Sequence, residues 1–170
     1  GLVSKNGSIS GGGTVVTNNL KASAATGIDL IQTAKKAQNS NGSSISTYVD
    51  LTSTDGSISL DSKKGDIKIW NVEVKNASLG TNINIHAADS ILSDVKTTDS
   101  DSVNPASVRA AKITLISDHG SIGTQDEALR IQAGSAALSG TASDASVTAS
   151  AQDGIYLKQT DGDMRVNHIE

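Results

Sequence analysis

The sequence predicts an all-β chain, a parallel β-helix (β-solenoid) in which short strands stack rung on rung as a fragment of a longer repeat shaft. Three observations carry that prediction. A phrase of glycine, a small or acidic residue and an alternating apolar stretch keeps returning along the 170 residues. Its apolar residues alternate at period two and are rich in β-branched side chains, which is a strand signal rather than a helix signal. With no Phe, one Trp and two Tyr, the core must be built from Ile, Leu, Val and Ala, which suits a narrow, regular interior better than an irregular globular one.

Taken in order, the phrase first appears as Gly7-Ser8-Ile9-Ser10 and is followed by Gly11-Gly12-Gly13, read as a turn or tether. Residues 20–33 read as strand, turn at Gly27, strand; residues 49–60 repeat that plan with one inserted residue, turning at Gly56. Gly65-Asp66-Ile67-Lys68-Ile69 opens the next strand, and Ile83 with Ile85 and Ile113 with Leu115 mark two more. Gly120-Ser121-Ile122-Gly123, Gly154-Ile155-Tyr156-Leu157 and Gly162-Asp163-Met164-Arg165-Val166 complete the series. Residues 147–160 align without gaps on residues 20–33, matching Ala, Ser, Ala, Gly, Ile, Leu, Gln and Thr. Near-identical segments favour parallel stacking, in which like sits above like, over an antiparallel sandwich with its complementary, bulkier sheets. About eight rungs of roughly 20 residues, spaced by ~4.8 Å, give a rod on the order of 40 Å long.

The chain therefore reads as a single segment, residues 1–170, interrupted by two polar excursions near residues 34–47 and 96–109; the second holds the lone proline, Pro105. Loops pushed out of a stack are where binding residues accumulate. Lys35, Lys36, Asp99 and Asp101 are accordingly the candidate partner-binding residues.

A net charge of −4 with no basic stripe speaks against a nucleic-acid partner or an anionic membrane surface. No apolar run of about 20 residues exists to insert in a bilayer. Without cysteine the chain relies on hydrogen bonds and aliphatic packing. His86, His119 and His168 lack metal-ligand spacing and read as solvent-facing. Asp99-Ser100-Asp101 and Asp161-Gly162-Asp163 look like pieces of calcium loops but lack the remaining ligands. No cofactor or metal is expected. Parallel β-helices can host polysaccharide lyases and hydrolases, but Trp70, Tyr48 and Tyr156 are the whole supply of sugar-gripping aromatics, and no catalytic constellation is visible. The chain is read as non-enzymatic, the alternative being a carbohydrate-active β-helix of the lyase or phage-tail type.

Residues 113–131, Ile-Thr-Leu-Ile-Ser-Asp-His-Gly-Ser-Ile-Gly-Thr-Gln-Asp-Glu-Ala-Leu-Arg-Ile, resemble large exoproteins of the filamentous haemagglutinin type. In these, "strand, Gly-Ser-Ile-Gly-Thr, a few residues, Leu-x-Ile" recurs through right-handed parallel β-helices. The resemblance covers most of the chain and is strongest over residues 113–169. It implies a bacterial surface or secreted protein, exported by a two-partner or autotransporter route, that acts in adhesion or as a toxin. The implied partners are a host-cell receptor or glycan and an outer-membrane secretion partner. The family's amino-terminal secretion motif is not visible in this sequence, so the segment is expected to be an internal piece of the shaft.

Overall fold

A computed structural model describes residues 1–35, 40–41, 46–77, 80–94, 107–134 and 146–170. These residues form strands and turns with no helix among them, and the strands make two sheets. The larger, ten-stranded sheet is ordered β1 (Leu2–Ser4), β3 (Asn19–Ala24), β5 (Thr47–Ser53), β7 (Ile67–Val74), β10 (Val108–Ala110), β13 (Leu129–Ala133) and β16 (Leu157–Gln159). The short strands β9 (Ile91–Ser93), β12 (Ser121–Ile122) and β15 (Gly154–Ile155) run beside that path. The seven-stranded sheet is ordered β2 (Ile9–Val16), β4 (Ile28–Thr33), β6 (Ile58–Ser62), β8 (Asn82–Ala87), β11 (Lys112–Ser117), β14 (Ser146–Ala151) and β17 (Val166–Ile169).

All the strand pairs among the described residues are parallel, which removes the antiparallel sandwich. The chain passes from one sheet to the other and back, adding one tier to each. Seven tiers at ~4.8 Å among the described residues give a stack on the order of 30 Å, shorter than the eight rungs expected.

Like does sit above like. Ile9, Ile28, Ile58, Ile83, Ile113, Val147 and Val166 occupy one register column of the seven-stranded sheet. Leu30, Leu60, Ile85, Leu115, Ala149 and Ile169 form the next inward column. Facing them, the ten-stranded sheet stacks Ala22, Leu51, Val72, Val108 and Ile131, and in a second column Ile67, Ile91, Ile122 and Ile155. The inner members of these columns belong to one buried cluster with no aromatic side chain in it. Each fully buried aliphatic side chain contributes about 1.5–3 kcal/mol.

Two local expectations are corrected. Gly11, Gly12 and Gly13 are not a turn: they lie inside β2, where the register slips between Ser10 and Thr14. Three residues there oppose Leu30 alone, a bulge that glycine permits because no side chain has to be placed. The gapless match of residues 20–33 to 147–160 does not mark equivalent rungs. The first segment runs from β3 to β4 and the second from β14 to β15 and β16, so their leading strands lie in different sheets. Both corners need the same thing, an inward-alternating strand, a glycine turn and another such strand. The copy at residues 49–60 is the adjacent tier, with Leu20 paired to Val49 and Ile28 to Ile58.

One corner is polar and buried. Gln32 Nε2 donates to the Thr17 carbonyl oxygen at 3.0 Å and to Thr47 Oγ1 at 2.9 Å, while its Oε1 accepts from Ser62 Oγ at 2.7 Å. An amide satisfied in this way ties neighbouring tiers together at the point where the chain leaves β4.

Candidate functional site

Of the four residues singled out for partner binding, Lys35 is exposed just beyond β4, while Lys36, Asp99 and Asp101 lie outside the described residues. Residues 34–47 follow β4 of the seven-stranded sheet and residues 96–109 follow β9 of the ten-stranded sheet. Residues 135–145, between β13 and β14, also lie outside the described residues.

The side chains that stand out among the described residues lie elsewhere, on the outer face of the ten-stranded sheet. All three aromatic residues are there and exposed: Tyr48 at 44%, Trp70 at 59% and Tyr156 at 40%. The placement follows from register. Thr47, Ile67, Ile91, Ile122 and Ile155 form one inward column. The residues after the first three point outward, so Tyr48, Lys68 and Leu92 share an outward column, which stops at the buried Gly123 that follows Ile122; Tyr156, next to Ile155, stands beyond that break.

Trp70 owes its position to a bulge. Val49 pairs with Ile69 and Asp50 with Asn71, which leaves Trp70 as the extra residue on β7. The sequence carries the signal in a phase slip, since Ile67 and Ile69 are followed by Val72 and Val74 rather than by an apolar residue 71. Trp70 is two residues along from Lys68, the partner of Tyr48, so the two rings are diagonal neighbours on one face. The same seam of the sheet opens in later tiers, where β9 and β10, then β12 and β13, replace the continuous β7.

Two charge pairs lie on this face. Lys21 Nζ sits 2.5 Å from Asp50 Oδ2, and Arg109 Nη1 sits 2.9 Å from Glu73 Oε1. Asn71 Nδ2 reaches Thr52 Oγ1 at 3.3 Å and Asp50 Oδ1 and the Leu51 carbonyl oxygen at 3.5 Å, all long for hydrogen bonds. Burial holds the Asp94 carboxyl above the usual carboxylate range; Lys68 opposes this and Glu127 adds to it.

The outer face of the seven-stranded sheet carries a different cluster. His86 places Nδ1 3.2 Å from Asp61 Oδ1 and Nε2 2.9 Å from Asp118 Oδ2, across three successive tiers. Lys63 also pairs with Asp61. Both imidazole nitrogens thus face carboxylates, an arrangement that clamps tiers together. His119 is exposed with Nδ1 2.9 Å from the Ala88 carbonyl oxygen, and His168 is exposed beside Glu170. No group of three or more His, Cys, Asp or Glu side chains placed to hold a metal occurs among the described residues. A recess of about 330 Å³ over the first tiers is lined by Ser8, Ser10, Ser57, Ser59 and Asp29.

Comparison with protein-family models, curated proteins and solved structures finds no match to this chain.

Proposed function

We propose that this chain is a right-handed parallel β-solenoid segment of a large secreted or surface-displayed bacterial adhesin or cytotoxic exoprotein of the filamentous haemagglutinin kind. It mediates attachment to host cells or surfaces by binding rather than catalysis. The observation that carries this reading is the set of unbroken inward columns, exemplified by the line from Ile9 to Val166, with the chain crossing between two parallel sheets at every tier. Parallel strands joined by crossovers are right-handed in about 98% of cases. A stack of tiers in contact only with their neighbours makes a rigid extended spacer with a long lateral surface.

Attachment rather than turnover is supported by the carboxylates of that surface. Asp50, Asp61, Glu73 and Asp118 are each engaged with Lys, Arg or His. The test is saturable attachment of the labelled, purified chain to epithelial cells, competed by unlabelled chain. The expected outcome is a competed, plateauing signal; a signal no greater than that of an unrelated protein of equal charge would remove the attachment role.

A further inference from the structure

We propose that the outer face of the ten-stranded sheet around Trp70 and Tyr48 is a binding strip for an uncharged polysaccharide chain. The inference rests on the attachment reading above and gives it a ligand class. Its first support is where the rings are. A chain with one Trp and two Tyr has placed all of them outside, at 40% exposure or more, although a buried aromatic ring removes more apolar surface from water than an aliphatic side chain. A β-bulge adds the extra residue that brings the indole out, on a strand rather than a loop. Such rings offer large, rigid, amphipathic contact area at little conformational cost.

The second support is the company the rings keep. A pyranose has an apolar C–H face that lies flat on an indole and a rim of hydroxyls that both donate and accept. Among the described residues the Asn71 amide nitrogen, next to Trp70, makes long contacts of 3.3 Å and 3.5 Å, which a hydroxyl can displace at small cost. Asp50, its cross-strand partner, supplies acceptors beside it.

Charge selects against the other partners that exposed aromatics serve. Lys21 is matched by Asp50 and Arg109 by Glu73. An acidic glycan or nucleic acid would have to break these pairs, in a chain whose net charge is −4. An anionic membrane would ask for the same cations. The inward column beside Tyr48 runs from Thr47 to Ile155, the neighbour of Tyr156, which sets the two tyrosines on the order of 20 Å apart along the stack. That length fits a polymer lying along the stack better than a single sugar.

Affinity electrophoresis of the intact chain in native gels tests this, with glucomannan, mixed-linkage β-glucan and dextran as neutral probes and heparin as the anionic one. At least one neutral polysaccharide is expected to retard the wild-type chain, with a half-effect in the range of about 1 mM in sugar units, as for weak surface stacking. W70A should lower the affinity at least ~10-fold and Y48A several-fold, while Y48F, which keeps the ring, stays close to wild type. Both rings are exposed, so the circular dichroism and melting of W70A should match wild type. Retardation should persist in high salt. Retardation by heparin alone, by none of the neutral probes, or equally in W70A would overturn the strip. Cell attachment measured in parallel separates the two ideas. A wild-type chain that attaches but is not retarded refutes the strip alone, and one that is retarded without attaching supports the strip and refutes the attachment role.

Discussion

A methyl group added at Gly56 would lie 1.7 Å from the carbonyl oxygen of Thr26 in the neighbouring tier, a backbone atom that cannot swing away. Gly56→Ala is therefore expected to lower stability by about 2–3 kcal/mol through forced separation of two tiers. Gly80→Ala, where an added methyl meets nothing within 4 Å, should stay within about 0.5 kcal/mol of wild type. Denaturant titration of both variants measures the contrast, and an equal loss at the two sites would contradict the steric account. The repeated phrase already showed that glycine turns this corner; the proximity of the next tier, which makes the glycine indispensable, depends on register. Asp94 offers a second residue-scale test. Its carboxyl is raised by burial, lowered by Lys68 and raised by Glu127, with burial the largest cause. A carboxyl raised in the folded state favours folding only while protonated, so its contribution is complete below the ordinary value of 3.8 and is lost as pH rises through the raised folded value. Asp94→Asn should then stabilise the chain relative to wild type at neutral pH, with the advantage shrinking as pH falls towards 4, about the ordinary value. Melting temperatures of the pair across that range decide it; an advantage that grows on acidification would reverse the sign.

At the scale of strands, the alternation of apolar residues is what the sequence displays most openly, because each strand buries one face. Ile85 illustrates what the columns add: it sits between Leu60 and Leu115 and is 1% exposed. Ile85→Val should cost about 1 kcal/mol and Ile85→Ala about 3 kcal/mol, since the fixed tiers on either side cannot collapse into the cavity. Ile169, in the same column but 44% exposed in the last tier, should lose less than about 1 kcal/mol on truncation to Ala. Equal losses at the two positions, read by chemical denaturation, would mean that tier position does not govern the energetics. The phase slip after Ile69 could also be read from the order of residues, and with it the outward turn of Trp70. The relation of residues 20–33 to 147–160 could not, because a strand, glycine turn and strand serve equally at corners leading in opposite directions between the sheets. For the same reason the placing of Tyr48 and Tyr156 beside one inward column becomes visible only once register is known. The candidate strip was thus present in the sequence as three scattered rings with no common address.

For the whole molecule, the outermost tiers of the 170-residue stack differ from the inner ones. Among the described residues β1 and β2 pair with β3 and β4 alone, and β16 and β17 with β13 and β14 alone, so each of these strands has a ladder partner on one side. Those tiers also hold most of the exposed large aliphatic residues: Leu2, Val3 and Val16 at one end, Val166 and Ile169 at the other. Unpaired parallel edges with apolar side chains are templates for another strand. The two ends are complementary in kind, since the column that starts at Ile9 finishes at Val166 with the strands in the same direction. A second copy placed head to tail would continue the column, and such a heterologous contact does not close on itself. The 170-residue chain is therefore expected to form an open series of species in sedimentation velocity as concentration rises, with contacts on the order of 10 µM or weaker given the small cross-section of one tier. Replacing Val166 and Ile169 together by Lys should leave the monomer alone and abolish the series, because buried like charges at the junction oppose pairing without touching the inner tiers. A wild-type chain that stays monomeric at every concentration, or that stops at a dimer, would show that the ends do not recognise one another. Association that survives the double substitution would move the contact to a lateral face, and the exposed rings of Tyr48 and Trp70 would then be the first place to look for it.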